Sequence, residues 1–329
     1  MTIRVDSTQG SATDVGAPRR RASKVDTIRR AYGFDDVSLA PGPTTVEPAD
    51  VDTSVAFAGL SLDIPVLAAS MDAVVDVRSA GVLAGLGGLA VMNLEGVQMR
   101  YEDPAPVLER IATAAPDEVQ EVLSAAYEPP ITEAIVAARI SELHEAGSPA
   151  AISATPAAAR RWGPFCAEAG ADVFLVQSQV SSAQHLASGY EPLELGEFTR
   201  LMGIPVAAGN TTSYEAAAAL MEQGIAALFV GVGPGAACTT REVLGIGVPQ
   251  VTAISDVAAA RDEHFERTGV YIPVVGDGGM RRGGEMAKAI AAGADLVMIG
   301  SPLARAEEAP GHGTNWGLSL IHISEPTRL

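Results

Sequence analysis

The stretch IPVAAGNTTSYEAAAALMEQGIAALFVGV, residues 204–232, contains one full structural period. It opens on a short apolar run, continues through EAAAALMEQG (215–224), whose apolar spacing suits an amphipathic helix, and closes on a second apolar run, ALFVGV (227–232). Outward from it, similar runs recur at IPVLAA (64–69), GLAVMN (88–93), AAISAT (150–155), DVFLVQ (172–177), IPVVGD (272–277) and LVMIGS (296–301). With IPVAAG (204–209) they make eight. Near-continuous apolar strands alternating with helices imply parallel pairing buried on both faces. The prediction is therefore an α/β chain folded as a (β/α)8 barrel. A doubly wound sheet is the alternative, but it usually has fewer strands, and no G-x-G-x-x-G follows the first run. The interval 96–148 contains DPAPVLERIATAAPDEVQEVLSAAYEPP (103–130) and reads as helices joined by a proline-punctuated connection.

In a barrel of this kind the carboxyl ends of the strands share one rim, where sites are built. That rim collects Ser70-Met71-Asp72, Asn93, Gln177, Gly209-Asn210, Asp277-Gly278-Gly279 and Gly300-Ser301. It also collects GPGAACTTR (233–241), a glycine-rich loop directly after an apolar strand. Cys238 in that loop is one of only two cysteines, and a strand end opening into a turn is where a nucleophilic thiol would be placed. A free thiol is only slightly ionised at neutral pH, so the loop amides would have to assist it. Thr239 and Thr240 either serve chemistry or bond the turn backbone. In DGGM (277–280) an acid followed by two glycines suits a carboxylate accepting from ribose hydroxyls beside bare backbone that approaches phosphate. Gly278, Gly279, Gly300 and Ser301 follow the last two strands, where barrels commonly bind phosphate.

The chain has 329 residues, is 47% hydrophobic and has a formal charge of −18. Its pI near 4.6 argues against nonspecific binding to nucleic acid or anionic membrane surfaces, so an anionic ligand must be held locally. No apolar run approaches the roughly 20 residues needed to span a bilayer. Two cysteines without metal-type spacing fit a reducing cytoplasmic setting, and Cys166 reads as a buried structural thiol. Residues 1–30 are polar, with Arg19, Arg20 and Arg21 clustered, and read as a disordered extension; the alternative is a targeting or nucleic-acid arm. The final LSLIHISEPTRL (318–329) breaks from the Ala/Gly-rich composition before it and reads as a non-native, adapter-like tail.

Six blocks, in order, resemble the IMP dehydrogenase and GMP reductase superfamily: FDDVSLAPG (34–42), AASMDAV (68–74), GLGGLAVMN (85–93), AAGNTTSYEAAAALMEQG (207–224), VGVGPGAACTTREVLGIGVPQVTAI (230–254) and VVGDGGMRRGGEMAKAIAAGADLVMIGSPLARAEEAPG (274–311). There is no inserted cystathionine-synthase-type domain, and VQSQVSSAQH (176–185) stands where aspartate-serine-serine is usual. Both features point to the short IMP dehydrogenase-related branch. The resemblance implies a catalytic barrel over 31–317, lacking its last helix and the mobile flap whose residues assist hydrolysis, and hence impaired turnover. It implies a homotetramer that acts on IMP with NAD.

In the implied mechanism Cys238 adds to carbon 2 of the hypoxanthine ring, hydride leaves that carbon for NAD, and water held by Thr240 releases XMP. Substrate would be bound by Met71, Asn210, Asp277, Gly278, Gly279, Gly300 and Ser301, and NAD by Gln177, Ser178, Gly231 and Gly233. Carbonyls of Gly233, Gly235 and Cys238 would hold K+. Met71 is open to a core role, Asn210 to bracing its loop, and Arg241 and Arg282 to either charge supply or plain solvation. Four positions depart from the family pattern: Ala69 and Ala236 replace serines, Asn93 a histidine, and Gln177 an aspartate that bonds the nicotinamide ribose. The alternatives are an NADPH-dependent GMP reductase, a catalytically weak purine-nucleotide-binding regulator, and a flavin-dependent barrel.

Overall fold

A computed structural model describes residues 28–115, 117–235, 240–314 and 316. The extension expected over 1–30 (apart from 28–30), Ala236, Cys238 and the tail expected over 318–329 lie outside the described residues. Residues 1–30 and 31–329 form separate units.

In the unit from Ala31, two short 3-10 turns, Phe34–Asp36 and Pro48–Asp50, precede an antiparallel hairpin, β1 (Val55–Phe57) and β2 (Leu60–Leu62). Ala58 and Gly59 both have positive φ, 48° and 84°, the two-residue turn whose twist matches paired strands. The barrel strands follow as β3 (Val66–Ala68), β4 (Leu89–Asn93), β5 (Ala151–Ala154), β6 (Val173–Gln177), β7 (Val206–Thr211), β8 (Ala227–Val230), β9 (Val274–Asp277) and β10 (Leu296–Ile299). Each pairs in parallel with its sequence neighbour, and β10 closes on β3 with Val297 opposite Val66. Seven fall within the runs read from sequence, and β7 extends past its run, IPVAAG (204–209), to Thr211.

Helices α1 (Val77–Gly85), α2 (Ala105–Ala112), α3 (Val119–Tyr127), α4 (Glu133–Glu145), α5 (Pro156–Glu168), α6 (Leu195–Leu201), α7 (Tyr214–Met221), α8 (Thr240–Leu244), α9 (Gln250–Thr268) and α10 (Gly283–Ala291) connect them. Local signals set several starts: Thr132, Thr155 and Ser213 each accept from a backbone amide three residues on, and Asp76 and Ser79 form a reciprocal box before α1. Gly269, at φ 74°, ends α9. Among the described residues no α-helix follows β10, and no helix is long and apolar enough to cross a membrane.

Strand alternation divides the core in two. Leu67, Val173, Leu175, Phe229, Val275, Leu296 and Met298 fill the barrel, whereas Ala68, Phe174, Val176, Leu228, Val230 and Val297 face the helices. The hairpin contributes Phe57, Ala58 and Leu62 to the inner cluster. Its neighbours place it at the amino-terminal end, since Asp63 N–H donates to Gly87 O just before β4. The barrel is thus plugged at one end and open at the other. Cys166 is buried among apolar groups, which pushes its thiol up to about 12, the inert structural thiol expected.

Candidate active site

The inward positions of the strands continue past the apolar layers into polar ones. After Leu175 the next inward residue is Gln177, after Val275 it is Asp277, after Phe229 it is Gly231 and after Met298 it is Gly300. These four line a cavity of about 690 Å3 at the carboxyl end of the barrel. That volume suits a nucleotide-sized ligand. Asn210 would point outward by simple alternation. The register between β7 and β8 shifts between Gly209 and Thr211, and Asn210 also lines the cavity.

The floor is a closed hydrogen-bond cluster drawn from four strands. Gln177 Nε2 donates to Asp277 Oδ2 at 3.0 Å and to Asn210 Oδ1 at 3.1 Å, and its Oε1 accepts from Ser70 Oγ at 3.0 Å. Asn210 Nδ2 donates to the same Asp277 oxygen at 2.7 Å and to Gly231 O at 2.9 Å. From below, Gln250 Nε2 ties Val230 O and Asp277 O, joining the ends of β8 and β9. Gly231, at φ 144°, has no room for a side chain: an added Cβ would collide with Asp277 O and reach 2.8 Å from Gln250 Nε2.

Burial drives the Asp277 carboxyl up to about 6 from 3.8, against the opposing pull of the Asn210 and Gln177 amides. The folded chain therefore holds its proton to higher pH than the unfolded chain does. Stability from this group is complete below the unfolded value and is lost as pH rises through about 6. The full shift corresponds to roughly 3 kcal/mol, and water in the open cavity screens this to about 1–2 kcal/mol. Asp277→Asn is accordingly expected to raise the urea midpoint of the ligand-free protein near neutral pH and to leave it unchanged below about pH 4. A midpoint that falls at neutral pH would show that the carboxylate is net stabilising.

One end of the cavity is backbone. Gly278 and Gly279 both have φ 79°, and an added Cβ on Gly279 would lie 3.1 Å from Pro234 Cβ, so the turn after β9 nests against the loop after β8. Gly300, Ser301, Gly233 and Gly235 line the cavity too. Met71 lines the cavity with its sulfur 3.3 Å from where a Cβ on Gly300 would stand. Thr155, Ser178 and Gln179 line the cavity as well. Ser178 prolongs the β6–β7 pairing: its N–H donates to Gly209 O at 2.8 Å and its carbonyl accepts from Asn210 N–H at 3.0 Å.

Of the two arginines left open by sequence, Arg241 lines the cavity and braces the loop, donating from Nε to Val232 O at 3.0 Å and from Nη2 to Val248 O at 2.7 Å. Arg282 is exposed just ahead of α10 and is not among the lining residues. Thr240 opens α8. The cavity thus brings together Met71, Gln177, Ser178, Asn210, Gly231, Gly233, Gly235, Asp277, Gly278, Gly279, Gly300 and Ser301.

Two participants, Gln250 and Thr155, escaped the sequence reading, and Ser70 stands on the rim there without a role. Gln250 lies inside a quoted block and Thr155 ends an apolar run, and neither carries a type-specific signal. A fourth feature lies behind Met71, where the buried Asp72 accepts from Val97 N–H at 3.0 Å and from Tyr127 Oη at 2.6 Å. Trp316 Nε1 donates to that tyrosine at 3.2 Å, tying the segment after β10 to α3. Burial pushes the Asp72 carboxyl up, against the bonds from Tyr127 and the amides of Val97 and Gln98.

Comparison with known proteins places this geometry. The family model for the IMP dehydrogenase / GMP reductase domain matches residues 31–317. An uncharacterized oxidoreductase of Mycobacterium tuberculosis is 37% identical over 307 residues, covering 91% of this chain and 82% of its own. An inosine-5'-monophosphate dehydrogenase of Methanocaldococcus jannaschii is 30% identical, covering 88% of this chain and 74% of its own. The crystal structure of an IMP dehydrogenase/GMP reductase-like protein from Corynebacterium glutamicum superposes with a TM-score of 0.84 at 32% identity, covering 91% of this chain and 80% of that one.

Proposed function

Since the chain belongs to the IMP dehydrogenase / GMP reductase family, we propose that it is an oxidoreductase of the IMP dehydrogenase type that converts IMP to XMP with NAD. The observation that carries the reading is the set of groups that line one cavity: a half-buried carboxylate at Asp277, bare backbone at Gly278, Gly279 and Gly300, and a loop, Gly233 to Gly235, that leads within three residues to Cys238. Asp277 accepts from the ribose hydroxyls, the glycine edge and Ser301 receive the phosphate, and Met71 packs against the base. Cys238 supplies the thiolate that adds to carbon 2 of the purine, and Thr240 holds the water that releases the product. Carbonyls of Gly233, Gly235 and Cys238 offer a place for K+.

Thr155, Ser178 and Gln179 line the cavity together with Gln177, and the nicotinamide group is assigned to this part of it. NAD, when bound, supplies the hydride acceptor. A homotetramer in the cytoplasm belongs to the same reading.

One observation favours a second reading, a nucleotide-binding protein with weak catalysis. Both N–H groups of Gln177 are already engaged by Asp277 and Asn210, so it has none left for a cofactor ribose. The test is to mix the protein with IMP and NAD and follow NADH by absorbance, XMP by chromatography and IMP binding by calorimetry. Stoichiometric or faster NADH formation that depends on IMP supports the dehydrogenase. Binding without NADH supports the regulator, and oxidation of NADPH with GMP supports the reductase.

A further inference from the structure

Gln177 sits at the end of β6, yet it is bonded to groups on β7, on β9 and just beyond β3. Its orientation is dictated by chemistry. With Nε2 toward the Asp277 carboxylate and the Asn210 carbonyl, and Oε1 toward the Ser70 hydroxyl, every amide proton meets an acceptor. The reversed amide would set two oxygens against each other at Asp277. Asn210 is locked in the same way, since its two N–H groups go to Asp277 Oδ2 and Gly231 O and its oxygen is taken by Gln177. The carboxylate is therefore gripped at one oxygen by two neutral amides, and Oδ1 is left for a ligand in the cavity that Asp277 lines.

We propose that Gln177 is a positioning residue that keeps Asp277 ionised and oriented, and that it thereby sets the pH range over which the site binds its nucleotide. The inference rests on the nucleotide reading of the cavity. Its physical basis is that a buried carboxylate without a cationic partner stays charged only if neutral dipoles are aimed at it. Among the described residues, the charged groups that line the cavity besides Asp277 are Asp35, Asp36, Arg241, Arg281 and Glu285. Of these, Arg241 bonds the carbonyls of Val232 and Val248, Glu285 accepts from the amides of Arg281 and Arg282, and Asp36 accepts from Gly33 N–H. The influences that act on Asp277 are burial, Asn210 and Gln177. A glutamate at position 177, isosteric with the glutamine, would put a carboxylate oxygen in place of Nε2 at hydrogen-bond distance from Asp277, where like charges repel, so the neutral amide matches the acid opposite it.

The experiment uses protein labelled with carbon-13 at aspartate carboxyls, with the Asp277 resonance identified by its loss in Asp277→Asn. Carboxyl titrations are compared for the parent chain, Gln177→Met and Gln177→Glu, each checked for folding by circular dichroism. In Gln177→Met the Asp277 midpoint is expected to rise by about one pH unit, the equivalent of one lost hydrogen bond. In Gln177→Glu, Asp277 is expected to titrate in two coupled steps. IMP affinity, measured across the same pH series, should fall about tenfold per pH unit below each variant's own midpoint. An unchanged Asp277 midpoint in folded Gln177→Met overturns the proposal, as does an affinity lowered equally at every pH. Failure of the parent chain to bind IMP counts against the nucleotide reading alone, and the carboxyl titration still decides the role of Gln177.

Discussion

Cys238→Ala is expected to abolish IMP-dependent NADH formation, by a factor of about 10⁴ or more, while leaving IMP affinity within roughly threefold. The asymmetry follows from where the binding groups lie. On the proposed reading the ribose anchor, the glycine edge and the methionine come from β3, β9, β10 and the turns after them. They would then bind the nucleotide whether or not the loop after β8 carries a thiol. Transition-state stabilisation is different, because without a sulfur to add to carbon 2 there is no tetrahedral centre from which hydride can leave. Intact-protein mass spectrometry after mixing with IMP and NAD should show a nucleotide adduct in the parent chain and none in the variant. Equal adduct in both would place the nucleophile elsewhere. NADH formation surviving in the variant would remove covalent catalysis from the mechanism.

How far a sequence discloses such a site depends on the reach of each signal. The barrel is legible because each strand needs only its own apolar run, and parallel neighbours follow from chain order once eight runs are counted. The rim residues are legible for the same reason, since Asp277 and Gly300 stand at the ends of strands. The Gln177 cluster is not. It joins positions 107 and 100 residues apart across the barrel mouth, and pairwise distance across a closed barrel has no counterpart in local pattern. Gln177 reads as a neutral cofactor contact along the chain and as a partner of Asp277 in the fold. Asn210 likewise turns inward only because the β7–β8 register slips, and period-two reasoning alone assigns it to the other face. The hairpin of β1 and β2 was missed for a third reason. Three-residue strands around Ala58-Gly59 are too short to show alternation, and Ala-Gly lacks the usual turn signature.

That hairpin carries the largest expected effect on stability. Phe57→Ala is expected to cost about 3–5 kcal/mol and to lower the melting temperature by roughly 6–12 °C. Phe57 is 1% exposed and meets Phe229 edge to face, with ring centroids 6.3 Å apart and planes at 85°. It belongs to the same packed cluster as Leu67, Leu89, Leu175 and Leu296. Parallel strands on all sides prevent the barrel from collapsing inward around a missing ring, so the void persists and its cost is near the upper end for such truncations. The double variant with Phe229→Ala should show about 0.5–1.5 kcal/mol of coupling from the ring pair. Because the plug and the cavity occupy opposite ends of the barrel, IMP affinity measured well below the melting transition should be unchanged in Phe57→Ala. A melting temperature within about 2 °C of the parent would mean that the hairpin is dispensable for closing the barrel. A melting loss accompanied by weakened IMP binding would mean that packing at the plugged end propagates through the barrel layers to the Asp277 floor.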